Sequence, residues 1–196
     1  IQRQPVDVSN IVMSIKCGGS DTTSGMASNC VIGYVADKLV DLGATVIFGE
    51  TTEFIGGEHL LARRAVSKEV GDKILKIVDD MELRAKSLGC DMRKGQPTPG
   101  NIEGGLSSIE EKSLGAIMKS GSKPIQGVLG YTERVTDQKG LWIKDTPGRE
   151  PEILTGMAAT GAQVMMFSTG RGAPQGFPSM PVIKICGNPN TYERME

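Results

Sequence analysis

The chain has 196 residues, of which 38% are hydrophobic and only 4% aromatic, and its formal net charge at pH 7 is -1. This length suits one domain with its own core, which must be aliphatic because so few aromatic side chains are available. The even charge balance gives no electrostatic footprint for nucleic acid or a membrane surface, so we expect neither as a partner. The chain shows no signal peptide and no apolar run long enough to span a bilayer, which predicts a cytoplasmic protein.

The first quarter of the chain predicts a βαβ unit. A β-branched run at 11–15 is typical of a buried strand, and a glycine-rich loop follows at 18–25. Apolar residues then recur at helical spacing over 31–40, Gly43 ends that helix, and 45–48 is the next strand. Because the connections are short, we expect the two strands to be parallel with a right-handed crossover.

Helices dominate the middle of the chain. One helix is predicted over about 55–65, and a second, amphipathic helix begins after Ser67, a capping residue, and ends at Gly89. The stretch 90–105 is interpreted as a long irregular loop, because it is rich in proline and glycine. A capping-box signature then opens a helix over about 107–120.

The last third returns to alternating strands and helices, and it completes the predicted fold. The predicted elements are strands at 125–129, 141–143, 163–167 and 182–185, a helix at 151–160, and a final helix opened by Asn188 and Pro189. This alternation favours an α/β fold of three layers, a mostly parallel, Rossmann-like sheet of five or so strands with helices on both faces. We expect residues 1–196 to form a single α/β domain.

Two glycine-rich loops at predicted strand ends carry the candidate substrate-binding residues, because ligands of open α/β sheets bind beyond the C-terminal ends of the strands. Glycines let the backbone approach a ligand, and the free N–H groups of the following helix favour an anion. Arg171, in the second loop, has a guanidinium group that matches a carboxylate, although a solvated surface arginine is the alternative. The first loop is equally compatible with a tight turn that binds nothing. The candidates are Lys16, Gly18, Gly19, Ser20, Asp21, Thr169, Gly170 and Arg171.

Three further residues could take part in chemistry. Cys17, at a strand end, is either a thiolate that binds iron or a similar metal, or a small buried apolar residue, as most free cysteines are. Glu50 follows the second strand, and His59 is the only histidine. His59 could be a general base, a metal ligand or a structural residue. A single histidine argues against a metal site built from this chain alone.

Short motifs along nearly the whole chain resemble those of the altronate/galactarate dehydratase family. The resemblance begins with 16–21 (KCGGSD) and the serine and glycine at 24–25. In chain order the other motifs are 58–61 (EHLL), 97–101 (PTPGN), 104–106 (GGL), 111–115 (EKSLG), 119–121 (KSG), 167–172 (FSTGRG) and 181–184 (PVIK). The stretches 49–54 and 96–99 are closer to the branch that contains the large subunit of (2R)-sulfolactate sulfo-lyase.

The resemblance implies a carbon–oxygen lyase that eliminates water from a sugar acid such as altronate or galactarate, with Fe²⁺ or Mn²⁺ as cofactor. On this basis we expect Cys17 to bind the metal, Glu50 or His59 to move a proton or support the site, and Arg171 with Lys16 to bind the anionic hydroxy acid. The alternative reaction is elimination of sulfite from (2R)-sulfolactate.

The resemblance also implies that residues 1–196 are the C-terminal fragment of a longer enzyme. It implies in addition an N-terminal domain or small subunit that shares the metal, and it leaves a homo-oligomer open. The fragment is then expected to be inactive alone. A non-catalytic binding or scaffold domain is the competing class of function.

Overall fold

A computed structural model describes residues 2–135 and 139–195, and within them a six-stranded sheet lies at the centre of the fold. The strand order is β3-β4-β2-β1-β5-β6, and every neighbouring pair is parallel. The strands are β1 (Val12–Cys17), β2 (Thr45–Phe48), β3 (Ile125–Leu129), β4 (Gly140–Lys144), β5 (Val164–Thr169) and β6 (Val182–Cys186). The predicted parallel α/β sheet is therefore confirmed, with six strands.

Helices follow most of the strands, and capping residues and glycines explain where these helices begin and end. The Ser67 hydroxyl accepts a bond from the Val70 amide at the start of the longest helix, and Gly43 adopts a φ of 80° after the first. The helices are α1 (Asn29–Asp41), α2 (Glu58–Ala62), α3 (Lys68–Ser87), α4 (Met92–Gly95), α5 (Pro99–Glu103), α6 (Ile109–Ile117), α7 (Glu150–Thr160) and α8 (Pro189–Met195). Among the described helices, none is both long and apolar enough to cross a bilayer.

Two apolar clusters, one on each face of the sheet, make the three layers. Strand side chains alternate between the faces, so Ile15 of β1 joins a large cluster with α1 and α3, to which Ile32 and Ile74 belong. On the other face Ile47 of β2 packs with α7, where Ile153 is fully buried. Helices therefore cover both faces of the sheet, as the sequence predicts.

The middle of the chain departs from the sequence prediction in two places. The helix expected over about 55–65 spans only Glu58–Ala62, because Gly56 takes a φ of 89° just before it. The stretch 90–105 is not one irregular loop, since it contains α4 and α5. Asp91 caps α4 through bonds from two backbone amides, and Thr98 with Pro99 opens α5.

The connections place a topological switch point between β1 and β5. From β1 the chain passes through α1 to β2 on one side, whereas from β5, on the other side of β1, it continues to β6 in the opposite direction. A crevice forms at the C-terminal ends of two such strands, because the connections on either side diverge. The loops after Cys17 and Thr169 begin at this position.

Candidate functional site

The two glycine-rich loops meet beyond the C-terminal ends of β1 and β5. The Gly19 carbonyl accepts bonds from the Arg171 amide at 2.9 Å and the Gly170 amide at 3.3 Å, and the Gly18 amide donates to the Ser168 carbonyl at 3.1 Å. Gly19 has a φ of 58°, and a Cβ atom there would lie 2.9 Å from the Gly172 carbonyl oxygen. The structure thus joins two loops that are about 150 residues apart, as their positions at strand ends predict.

The segment that contains α5 closes over the same loops. The Asn101 side-chain amide donates to the Ser20 carbonyl at 2.9 Å, and the Thr22 amide donates to the Gly104 carbonyl at 3.0 Å. Arg171 reaches across the segment to Glu103, with 2.9 Å between Nη2 and Oε2. The predicted irregular loop at 90–105 therefore contains an ordered segment, 99–104, which forms the exposed rim of the site together with Arg171.

A buried ionic cluster lies directly beneath the loops. The Lys16 ammonium is 2.9 Å from Oε1 of Glu50, and the Lys119 ammonium is 2.6 Å from Oε2 of the same carboxylate. All three side chains are at most 1% exposed. The Lys16–Glu50–Lys119 cluster therefore holds two cations and one anion away from water, where each charge depends on its partners.

Local backbone geometry fixes the Glu50 carboxylate. Glu50 follows β2 with a φ of 72°, rare for a residue other than glycine, and its amide donates to the Thr146 hydroxyl at 2.8 Å. Burial opposes its charged form, but the ammonium groups of Lys119 and Lys16 outweigh that effect and hold the Glu50 pKa below its usual value. Glu50 is thus an ionised carboxylate with both oxygens engaged, and a role for it in proton transfer stays a prediction.

Cys17 completes the cluster as a neutral thiol. Its backbone amide donates to Oε2 of Glu50 at 2.9 Å, and its sulfur lies 3.1 Å from the Lys119 ammonium. Burial, with a further contribution from the Glu50 charge, raises the pKa of the thiol to about 12. Cys17 therefore remains protonated at neutral pH, as expected of a buried structural cysteine.

The contacts around Cys17 do not fit a divalent metal ion. Two lysine ammonium groups already occupy the oxygens of Glu50, and one of them also contacts the sulfur. A thiol with a raised pKa is a poor ligand, because metals bind the thiolate. Within the described ranges, no group of three or more His, Cys, Asp or Glu side chains is placed to hold a metal ion.

An open cleft of about 500 Å³ lies on the α7 side of the loops, next to Gly19, Gly172 and Glu150. The Glu150 carboxylate is 36% exposed and lies 3.7 Å from the Lys16 ammonium, so it connects the buried cluster with the cleft. A Cβ atom at Gly18 would lie 2.8 Å from the Glu150 carboxylate and 3.0 Å from the Phe167 ring, so a larger residue there would require these side chains to shift. The cleft has room for a small polar ligand between the two glycine-rich loops.

Two of the predicted substrate contacts hold the loops together. One carboxylate oxygen of Asp21 accepts from the Ser24 amide at 3.1 Å, and the other accepts from the Asn188 side chain at 2.9 Å. The Thr169 hydroxyl accepts from the Gly172 amide at 3.0 Å. Substrate contact by Asp21 and Thr169 stays a prediction, and their present bonds shape the loops on which other residues are presented.

His59 lies apart from the residues described above. It is exposed on α2, a helix that packs against α3. In residues 2–135 and 139–195, no hydrogen bond or ion pair connects its imidazole with the Lys16–Glu50–Lys119 cluster. The structure therefore does not bring His59 together with Glu50, and a catalytic role for His59 stays a prediction.

Sequence reasoning assigned no role to Lys119 or Glu150, although both contribute to the site. Lys119 follows α6 in a short 3₁₀ turn, and Glu150 begins α7. A lysine and a glutamate at helix ends resemble ordinary surface charges in sequence.

Comparisons with known proteins agree with the sequence motifs. The family described as D-galactarate/Altronate dehydratase, C-terminal, matches residues 8–196. The (2R)-sulfolactate sulfo-lyase subunit beta of Chromohalobacter salexigens is 44% identical over the whole chain, which covers 50% of that protein. Galactarate dehydratase (L-threo-forming) of Escherichia coli is 41% identical over 94% of the chain, and altronate dehydratase of Bacillus subtilis is 35% identical over 98%. The chain covers 35% and 38% of these two enzymes.

Proposed function

The chain belongs to the D-galactarate/altronate dehydratase C-terminal family, and from this membership and the site geometry we propose that it forms the anion-binding part of a lyase active site. The substrate class is a 2-hydroxy acid, and the reaction is β-elimination of water. The observation that carries the proposal is the convergence of the two glycine-rich loops over the Lys16–Glu50–Lys119 cluster, beside a cleft of about 500 Å³.

The charges around the cleft suit an acidic substrate. The buried cluster formally carries one excess positive charge, since Lys16 and Lys119 share the single carboxylate of Glu50. Arg171, on the rim, has a guanidinium group that can take a carboxylate in a bidentate arrangement once it exchanges its contact with Glu103. Both features attract the carboxylate of a hydroxy acid and stabilise negative charge that develops on it during elimination.

In this proposal, different residues of the chain admit the substrate, orient its carboxylate and position the buried charges. Gly18 and Gly19 allow the substrate to approach the backbone, and Arg171 orients the carboxylate. Glu50 acts as a positioning residue, because it holds the Lys16 and Lys119 ammonium groups in place beneath the loops. The groups near Cys17 do not fit a cation, so Fe²⁺ or Mn²⁺ is proposed only for the complete enzyme, with ligands from outside the described residues.

In our proposal, the complete active site requires a second domain or subunit in addition to this chain. Active sites form at domain interfaces, where a second domain excludes water and supplies missing groups. We therefore propose an N-terminal domain or small subunit as a partner, which would cover the cleft, and a homo-oligomer remains compatible with this arrangement. Four free cysteines suit the reducing cytoplasm as its compartment.

A sulfo-lyase that eliminates sulfite from (2R)-sulfolactate is the second candidate. The 44% identity to the sulfo-lyase subunit beta over the whole chain favours it. A cationic site also suits a sulfonate and a carboxylate on one small molecule, since each is a fixed anion near neutral pH. The two candidates share the first step, removal of the proton next to the carboxylate, and differ in the leaving group.

The test is a turnover assay of the complete protein with D-altronate, galactarate and (2R)-sulfolactate, with detection of the 2-oxo acid and of sulfite. We expect elimination from one of these acids, and identification of that acid selects between the two candidates. The isolated chain, shown to be folded by circular dichroism, is expected to be inactive under the same conditions. Failure of the complete protein on all three acids would favour a non-catalytic binding domain, and activity of the isolated chain would contradict a divided site.

A further inference from the structure

Glu150 brings a carboxylate to the wall of the cleft in which the substrate is proposed to bind. It begins α7, and it lines the cleft of about 500 Å³ together with Gly19 and Gly172, one residue from each glycine-rich loop. Its Oε1 atom lies close to the first loop, since a Cβ atom at Gly18 would be 2.8 Å from it. The Glu150 side chain is 36% exposed, so a ligand in the cleft can contact its carboxylate.

The oxygen atoms of this carboxylate are not occupied by protein donors. In the part of the chain that the structure describes, Glu150 accepts no hydrogen bond through its side chain. The Lys16 ammonium lies 3.7 Å from Oε1, which is beyond hydrogen-bond distance. The three N–H donors of that ammonium are directed to the carbonyl oxygens of Cys17 and Gly148 and to one oxygen of Glu50. The ion pair with Lys16 therefore leaves the lone pairs of Glu150 available to a ligand.

The other carboxylates at the site already accept hydrogen bonds from the protein. Two lysine ammonium groups bind the oxygens of Glu50 beneath the loops. Asp21 accepts bonds from the residues that follow it in the first loop and from the side chain of Asn188. Glu103, on the rim, accepts a bond from the Arg171 guanidinium group. Glu150 therefore differs from these three carboxylates in having both a place at the cleft and unoccupied oxygens.

The charges around Glu150 allow an anionic substrate to approach it. The Lys16–Glu50–Lys119 cluster formally carries one excess positive charge, and its Lys16 ammonium is the member that lies 3.7 Å from Glu150. This charge reduces the repulsion between the Glu150 carboxylate and an acid bound in the cleft. Arg171 lies on the other side of Gly19, where a Cβ atom would be 3.7 Å from the Arg171 Cβ atom. A hydroxy acid whose carboxylate binds Arg171 can thus extend past Gly19 toward Glu150.

We propose that Glu150 is the base that removes the proton next to the carboxylate of the substrate. This inference rests on the proposed elimination reaction, and the step is common to the loss of water and the loss of sulfite. A glutamate carboxylate is an ordinary general base when it can contact the carbon-bound proton directly. Glu150 also contributes a negative charge to the first turn of α7, as Glu152 does in the same turn. Glu152 does not line the cleft, so it separates this helix effect from catalysis.

The step balances with the groups named above. The Glu150 carboxylate takes the proton from the carbon next to the substrate carboxylate, and the electron pair of that C–H bond forms the new carbon–carbon double bond. The bond from the neighbouring carbon to the leaving group breaks, and hydroxide or sulfite departs with its electron pair. The Glu150 carboxyl group then gives its proton to the departed hydroxide or sulfite, and the enol product rearranges to a 2-oxo acid.

The first experiment compares Glu150→Gln with Glu152→Gln, the matched control, in the complete protein. We expect Glu150→Gln to lower kcat by roughly 100-fold or more, the ordinary contribution of a general base. Substrate binding, measured by calorimetry, should be unchanged or tighter, because the variant lacks one negative charge at the cleft. Glu152→Gln should keep the kcat of the unaltered protein. A kcat for Glu150→Gln close to that of the unaltered protein would overturn the inference, as would an equal loss of kcat in Glu152→Gln.

The second experiment supplies the carboxylate from solution to Glu150→Ala, in which the shorter side chain leaves space beside the cleft. Sodium formate should restore part of the lost kcat, whereas sodium chloride at the same concentration should not. The restored rate should fall when the substrate carries deuterium next to its carboxylate, because that bond breaks in the step that formate assists. An equal effect of the two salts would overturn the inference. An unaltered enzyme without activity on any of the three acids would instead overturn the proposed function, and the base role with it.

Discussion

The buried cluster and the open rim of the site contain the same kinds of charged side chain, but they differ in what those side chains can do. Lys16, Glu50 and Lys119 are almost completely removed from water, and each ammonium lies 2.9 Å or less from an oxygen of the shared carboxylate. Arg171 and Glu150 on the rim are 41% and 36% exposed. A buried charge held by its partners serves to position its neighbours, whereas a rim charge can exchange its partner for a ligand.

Removal of the central charge of the cluster should have the largest effect on stability. Glu50→Gln keeps the shape of the side chain but leaves the Lys16 and Lys119 ammonium groups without their counter-ion. We expect a loss of about 3–5 kcal/mol in the free energy of unfolding at pH 7, measured by urea denaturation, because an uncompensated buried charge is expensive. Glu103→Gln, on the exposed side of the rim, is the control and should cost less than about 1 kcal/mol.

The pH dependence of the unfolding free energy, compared between the unaltered protein and Glu50→Gln, tests whether the charge of Glu50 is the source of this stability. The folded Glu50 pKa lies below its ordinary value of 4.5, so the stabilisation from its charge is present above pH 4.5 and is lost as the pH falls through the folded pKa. The difference between the unaltered protein and Glu50→Gln should therefore shrink in acid. A difference that stays constant down to low pH would mean that the charge of Glu50 is not the source of the stability.

A substitution in the glycine-rich loops, which lie between the buried cluster and the rim, should have an intermediate effect on stability. A Cβ atom at Gly170 would lie 1.9 Å from the Asp21 carboxylate, which itself anchors the first glycine-rich loop. We expect Gly170→Ala to lower the unfolding free energy by about 1–3 kcal/mol, since the crowded carboxylate must shift. Gly176→Ala is the control, because nothing lies within 4 Å of its Cβ position. Equal melting temperatures for the two variants would contradict the packing described here.

Substitution of a rim charge should have the smallest effect on stability. Arg171 contacts Glu103 at 2.9 Å, and a pair as exposed as this one contributes about 0–1 kcal/mol. We therefore expect Arg171→Ala to unfold close to the unaltered chain, within about 1 kcal/mol, while substrate binding by the complete protein weakens severalfold or more. Unaltered substrate binding would remove Arg171 from the proposed site.

The sequence predicted the central strands well because they are buried on both faces. Such strands form short β-branched runs, and the run at 45–48 matches β2, whose residues are all buried. Lys16 was placed correctly at a strand end. The short helices α4 and α5 were missed, because their capping residues lie within a stretch rich in glycine and proline.

The buried cluster could not be derived from sequence in the same way. Lys119 lies 102 residues from Cys17 along the chain, and only the tertiary fold brings its ammonium to the sulfur. Cys17 was recognised at a strand end, but its neighbours were not. The sequence allowed either a metal ligand or a buried apolar residue, and the lysine that contacts its sulfur is visible only in the fold. Charge compensation is a property of the folded neighbourhood, which no local pattern encodes.

The distinction between a positioning cluster and a reactive rim depends most directly on the charge state of Glu50. Its carboxyl carbon can be followed by ¹³C NMR in the labelled chain from pH 6 to 9, with Glu50→Gln used to assign the signal. We expect a chemical shift typical of a carboxylate that does not change across this range, because Lys119 and Lys16 keep the Glu50 pKa below 4.5. A titration with a midpoint between pH 6 and 8 would contradict this, and would make Glu50 a proton carrier instead of a fixed counter-ion.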